Sequence, residues 1–372
     1  MAGKFTRLVW NCHALSAVCC LGFAGRNSLP DFAQLPTTYL LASFAGCALL
    51  IAFLGTKMSA YADIIADRTR FGEALIGSIL LGAGTSIAGI VTSTSTAAVG
   101  AADLAISNAL GGIAAQTMFL AIADVAYRKV NLEHAAASAV NLGQATVLMI
   151  LIALPIMAWS APSFTVWAIN PLTPVLVGAY LVGLYNAHKI HMEPMWFARD
   201  TDATLSEEDH DTSDQRTLWR IGTLFAVSTL IVGLSGWIVG ATGVELSERL
   251  GISQGVVGAL GTAIVTSLPE LVTTIAAVKR GALQLAVGGI IGGNMFDALF
   301  IASSDIAYRD GSIYHAISQR TVFWMALVLV MTAVLLIGLL RRERQGPAGI
   351  GWESVLLIGL WAGGAILQIS LG

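Results

Sequence analysis

The sequence predicts an all-α polytopic membrane protein of about ten transmembrane helices in two inverted five-helix repeats, with an eleventh helix at the N-terminus if the first apolar stretch stays attached. Three observations carry this reading: a composition too apolar for water, apolar runs of helical length, and a second half that repeats the first.

Of the 372 residues, 56% are hydrophobic and only 12% charged, and the mean hydropathy is +0.75. A soluble domain carries about a quarter charged residues, so lipid is the solvent for most of this chain. In lipid every backbone polar group needs an internal partner, which leaves helices or closed barrels. Barrel strands are short and alternate in polarity, whereas the runs here are unbroken and of the ~20 residues that a spanning helix needs. The 39 glycines suit helices that pack closely or break inside the membrane. A net charge of −3 gives no basic footprint for nucleic acid. Cys12, Cys19, Cys20 and Cys47 lie in apolar surroundings without metal-ligand spacing, and read as small buried side chains.

Ten main spans fall at roughly 36–56, 73–97, 101–124, 134–158, 163–187, 219–242, 253–278, 282–305, 319–340 and 350–370. An apolar stretch from Leu8 to Gly25 precedes them behind Lys4 and Arg7, and is either a signal segment or a further span. The chain thus divides into an N-terminal apolar segment (1–35), a first half (36–190), an acidic linker (191–218) and a second half (219–372). The linker holds eight acids without ligand spacing and reads as solvated.

Lys and Arg fix the expected orientation. Loops after the odd spans carry fourteen of them, those after the even spans only Arg249, Arg309 and Arg320. The odd loops and the central linker are therefore expected in the cytoplasm and the C-terminus outside, in a membrane read as a bacterial inner membrane.

A shift of 181 residues lays Thr85-Ser86 on Thr266-Ser267, Gly111-Gly112 on Gly292-Gly293, and Asp124-Val125-Ala126-Tyr127-Arg128 on Asp305-Ile306-Ala307-Tyr308-Arg309. Compositional bias does not place charged and aromatic residues in register. Five spans separate the copies, and an odd number turns the second upside down. Inverted repeats with broken helices are a common plan of secondary transporters, with ion sites near the midplane.

Glu270 stands in an otherwise apolar span, where a carboxylate costs roughly 2.5–3.5 kcal/mol or more and needs a cation, a proton or a partner. Pro269 before it removes a helical hydrogen bond and frees the Val265 carbonyl. Freed carbonyls, the hydroxyls of Thr266 and Ser267 and a carboxylate are the hard oxygen ligands of Ca²⁺, Na⁺ and similar ions. Asp297 follows in the next span and shares a helix face with Asn294. The two carboxylates sum to −2, which neutralises one divalent ion, or a monovalent ion and a proton. Asp124 with Arg128 and Asp305 with Arg309 are spaced to pair along a helix.

Thr266-Ser267-Leu268-Pro269-Glu270, followed by Gly288-Gly289-Ile290-Ile291-Gly292-Gly293-Asn294-Met295-Phe296-Asp297, resembles the second α-repeat of the cation/calcium exchangers, the sodium/calcium exchanger superfamily. That resemblance implies a cation antiporter with Glu270 and Asp297 as metal ligands, and Thr266, Ser267 and Asn294 beside them. The first repeat departs from the family pattern. Ala88-Gly89 stands for Pro-Glu, Gln116 pairs with Asp297, Ile113 pairs with Asn294, and Gly112 and Gly293 stand where the family has serines. The first repeat therefore offers Thr85, Ser86, Gln116 and Asn108 but no carboxylate at the depth of Glu270 and Asp297. The loss suits a smaller load than three sodium ions for one Ca²⁺: Ca²⁺ or a similar cation against Na⁺ or H⁺, with one divalent ion against protons or a monovalent ion against protons as the lighter cases. Gly89 is expected to leave room for a larger or partly hydrated ion. Inorganic cations and the bilayer are the expected partners; no cofactor is expected, and no oligomeric signature is visible.

Two rival functions follow from the same residues. Half a symmetric site fits a transport-inactive relative acting as ion sensor or scaffold. Gly233-Leu234-Ser235-Gly236 matches the serine motif of rhomboid intramembrane proteases, for which His315 is the only later histidine.

Overall fold

The computed structural model describes residues 32–69, 82, 84–127, 131–199, 217–343 and 350–370. Residues 1–31 and 200–216 lie outside this set, and with them the expectations for the N-terminal apolar segment and most of the acidic linker. Among the described residues the regular structure is helical, apart from an isolated bridge between Val166 and Ile169.

The first half comprises α1 (Thr37–Thr69), α2 (Ile87–Ala98), α3 (Ala102–Tyr127), the single turn α4 (Leu132–Ala135), α5 (Ala139–Ser160) and α6 (Leu172–Met192). The second comprises α7 (Leu218–Leu250), α8 (Gln254–Thr266), α9 (Leu268–Arg280), α10 (Leu283–Asp297), α11 (Leu299–Ala307), α12 (Ile313–Ala316), α13 (Gln319–Arg341) and α14 (Trp352–Ser370). Seven spans among the described residues are long and apolar enough to cross a bilayer, α10 and α11 counting as one; the bent pair α8–α9 makes an eighth. α6 does not meet that test, and of the expected span 73–97 only 82 and 84–97 are described. The protein is an all-α polytopic membrane protein.

The 181-residue register runs through the whole architecture. It carries the bounds of α1 onto those of α7 and of α4 onto those of α12, and starts α9 and α10 where α2 and α3 start. Local geometry repeats too. The break before α2, at Ser86, has φ −86°, ψ 2°; the break before α9, at Ser267, has φ −98°, ψ 5°. The turns after α2 and α9 use left-handed glycines, Gly100 (φ +88°) and Gly281 (φ +86°), a conformation that side chains with a Cβ resist. Pro269 gives the second break a chemical cause. The first forms without a proline.

Two aspartates, one from each half, tie the halves to each other in the same way. Asp124 accepts the Leu132 amide (2.9 Å), the Gly351 amide (3.1 Å) and the Ser354 hydroxyl (2.9 Å). Asp305 accepts the Ile313 amide (3.1 Å), the Asn170 amide (2.8 Å) and the Thr173 hydroxyl (2.6 Å). Each partner of one lies 181 residues from a partner of the other. The expected helical pair of Asp305 with Arg309 does not form: Arg309 donates instead to the carbonyls of Ile306 and Trp167. Unpaired amides at a chain turn present more donors to a buried carboxylate than one arginine beside water. Arg128 is outside the described residues.

α3 is the most enclosed span, with 83% of its apolar window buried. Its alanines and glycines make it thin enough for neighbours to touch backbone. A Cβ on Gly111 would stand 2.4 Å from Ala259 Cα of α8, and one on Gly236 of α7 would stand 2.4 Å from the Ala88 carbonyl oxygen of α2. Opposite Gly111, α8 widens into a π-helical turn at Val257–Thr262, a feature frequent near functional sites.

Candidate cation-binding site

The two helix breaks and the α3–α10 crossing bring the sequence-selected side chains to one buried place. Glu270 lies in the first turn of α9, where the positive end of the helix favours an anion. Asp297 closes α10. Its Oδ1 accepts from the Ser86 hydroxyl at the opposite break (2.6 Å) and its Oδ2 from Gln116 Nε2 on α3 (2.6 Å). Gln116 Nε2 also reaches Ser267 Oγ (3.3 Å). The Thr85 side chain interacts with Glu270, and the Glu270 and Asp297 carboxylates lie close enough to repel. Both are almost wholly buried, at 7% and 2% exposure.

Four oxygens in this cluster are buried without an ordinary hydrogen bond: both of Glu270, Gln116 Oε1 and Asn294 Oδ1. Asn294, on α10, donates its Nδ2 to Thr117 Oγ1 on α3 (3.0 Å). Buried acceptors without donors are uncommon in native proteins, and acceptor oxygens beside a pair of carboxylates have the chemistry of a hard-cation site. Gly112 and Gly293 flank it. A Cβ on Gly112 would lie 3.4 Å from Ser267 Oγ and 3.9 Å from Asp297 Oδ2, and one on Gly293 3.5 Å from Gln116 Oε1.

Two selected residues stand apart. Thr266 turns its hydroxyl back onto the Ala263 carbonyl (3.2 Å). Asn108 belongs to a separate network, donating to the Gly89 carbonyl (3.2 Å) and Ser93 Oγ (2.9 Å) and accepting from Thr262 Oγ1 (2.7 Å) in the π-helical turn. One expectation is overturned: Gly89 does not leave room. A Cβ there would fall 2.5 Å from Cε2 of Phe300, whose ring fills the place that a glutamate side chain would take. Sequence reasoning passed over Phe300 and Thr117. The register that pairs Phe119 with Phe300 could have drawn attention to the former.

The arrangement does not support a serine nucleophile. Ser235 donates to the Ile231 carbonyl within its own helix (2.8 Å). His315 is engaged by Ser312 Oγ (3.0 Å) and the Ala161 carbonyl (2.8 Å).

Comparison with known proteins agrees with the fold. The chain is 33% identical over 133 residues to the inner membrane protein YrbG of Escherichia coli K12, a match covering 36% of this chain and 39% of that protein. Its fold matches the crystal structure of the H+/Ca2+ exchanger CAX with a TM-score of 0.63, at 14% identity, over 97% of this chain and 92% of that one. It also matches the sodium-calcium exchanger NCX_Mj with a TM-score of 0.58, at 18% identity, over 90% of this chain and 99% of that one. The model of the sodium/calcium exchanger protein family matches residues 39–187 and 220–370, most of both halves. The chain belongs to the sodium/calcium exchanger protein family.

Proposed function

We propose that the protein is a secondary cation antiporter that moves Ca²⁺ or a similar divalent cation in exchange for protons, through one site built on Glu270 and Asp297. The observation that carries this reading is a pair of buried carboxylates at helix breaks, Glu270 close to Asp297, with the Gln116 side chain on Asp297 and acceptor oxygens left without an ordinary hydrogen bond. Glu270 and Asp297 are the metal ligands, Gln116 and Asn294 supply neutral oxygens, and Ser86, Ser267 and Thr85 orient the carboxylates. Thr266 borders the break. Two carboxylates balance one divalent cation or two protons, so exchange between these loads leaves the buried charge unchanged at both ends of the cycle. Phe300 stands against Gly89, and Gly112 and Gly293 lack the hydroxyls that the family resemblance assigns to sodium sites.

The chain acts without a cofactor and catalyses no covalent step. The Lys and Arg distribution orients it with the central linker in the cytoplasm and the C-terminus outside, in a bacterial inner membrane. The occupied position at Gly89 also favours a second reading, a sensor that binds a cation and does not carry it.

Flux separates these readings. In proteoliposomes, ⁴⁵Ca²⁺ uptake is expected under an imposed pH gradient with sodium absent. Uptake that requires sodium and ignores the pH gradient would overturn the proton arm. Binding without uptake under either gradient would favour the sensor. Because protons and the cation compete for the same oxygens, apparent affinity should rise with pH, by up to about two decades per pH unit if two protons leave for each ion.

A further inference from the structure

The symmetric aspartate clamps differ in what they enclose. Around Asp305 the residues are Tyr314, Leu172 and Ser312. The Tyr314 hydroxyl meets Thr173 Oγ1 (2.9 Å), and Ser312 Oγ takes the Asn170 amide (3.1 Å). The 181-residue register places Glu133, Glu353 and Asn131 at those positions around Asp124. Glu133 is 1% exposed and Glu353 fully buried. Glu353 Oε1 accepts from Asn131 Nδ2 (2.7 Å). Glu353 Oε2 and both oxygens of Glu133 are buried without a hydrogen-bond partner.

The two glutamates pass the same point on α13. A Cβ on Gly338 would lie 2.9 Å from Cγ of Glu353 and 3.2 Å from Cγ of Glu133. Among the described residues, no hydrogen bond or ion pair joins a Lys or Arg to either glutamate. Arg342 donates to the carbonyls of His134 and Arg199, and the His134 ring meets the Arg342 carbonyl. Arg341 lies over the Trp352 ring and 3.6 Å from Glu343. The facing residues of α10 are Leu283, Ala286 and Val287, all apolar. From α3 the only charge is Asp124, whose oxygens already hold three donors.

We propose that Glu133 and Glu353 form a proton-binding site, separate from the Glu270–Asp297 site, in which at least one proton is held between the two side chains at the junction of α4, α13 and α14. A proton supplies the missing donor to one of three orphaned oxygens and removes one of two adjacent buried charges. The fold does not demand the glutamates, since the other half closes the same clamp with tyrosine and leucine.

Burial raises the Glu133 carboxyl well above the ordinary carboxylate range, with the charges of Asp124 and Glu353 adding to the effect. A group raised in the folded state contributes stability that is complete below its unfolded titration range. That contribution is lost as pH rises through the folded one. At neutral to alkaline pH the ionised pair should therefore loosen the α13–α14 contact.

The test is the thermal midpoint of the purified full-length protein, followed by tryptophan fluorescence between about pH 5 and pH 9, with the linked proton count read from its slope. Wild type should lose stability toward high pH. Glu133→Gln should be the more stable at the alkaline end and should bind about one proton fewer on the linked titration. The double variant Glu133→Tyr, Glu353→Leu copies the other half, keeps the test available if glutamine is not tolerated, and should give the same flattening. Infrared spectra at neutral pH should show a protonated-carboxyl C=O band in wild type that shrinks in either variant. Unchanged pH slopes with an unchanged C=O band would overturn the proposal. So would a Ca²⁺-induced rise in midpoint that survives Glu270→Gln but is lost with Glu133→Gln, which would make the pair a metal site.

Discussion

Glu270→Gln is expected to lower gradient-driven Ca²⁺ flux in proteoliposomes by at least about two orders of magnitude. Removing one partner from a buried charge set leaves the other uncompensated and costs roughly 3–5 kcal/mol, and each ~1.4 kcal/mol is tenfold in binding. A divalent ion facing Asp297 alone would carry a net positive charge into a site that is 7% exposed or less at both carboxylates. Asp297→Asn should act in the same direction. It also disturbs the hydrogen bonds from Ser86 and Gln116, which would be left without a charged acceptor. Ser86→Ala removes only an orienting hydroxyl, and should cost about 10–100-fold, the range for groups that position ligands. A flux assay on the three variants checks both the size and the order. Glu270→Gln transporting at the wild-type rate would remove Glu270 from the pathway.

The second large effect concerns assembly. Gly111→Ala and Gly236→Ala each add one carbon where two backbones already touch, 2.4 Å from Ala259 Cα and from the Ala88 oxygen respectively. Neither neighbour is a flexible side chain, so whole helices must separate. Overpacking of this kind costs about 1–3 kcal/mol or more. Both variants should unfold at lower temperature in detergent and give less monodisperse protein. Gly359→Ala on α14 meets nothing within 4 Å and should match wild type. Equal midpoints for all three would contradict the close crossings described here.

These two sets of residues were not equally legible in the sequence. Seven or eight of the ten expected spans, the repeat and the two buried carboxylates could be read directly, because each shows as a run or a register along one chain. Ser86 and Gln116 could be selected from the register, but that they grip Asp297 could not: those contacts join residues 211 and 181 positions apart. Asn108, also offered by the first repeat, hydrogen-bonds to Ser93 and Thr262 rather than to either carboxylate. Gly89 was misread because a glycine in sequence shows only the atoms that it lacks. What fills the gap, Phe300, comes from the other half. The aspartate clamps were half visible. Asp124 and Asp305 stood in register, and the register continues past a dissimilar turn to His134-Ala135 and His315-Ala316. Nearby arginines offered a simpler partner than backbone amides at the far end of the bundle, and the simpler partner was wrong for Asp305.

The most direct test of the central claim is equilibrium binding of ⁴⁵Ca²⁺ to the purified protein in detergent, wild type beside Glu270→Gln and Asp297→Asn. One site per chain in wild type, lost in both variants and weakened as pH falls, is the predicted result. Binding of unchanged stoichiometry and affinity in both variants would contradict a cation site built on this pair.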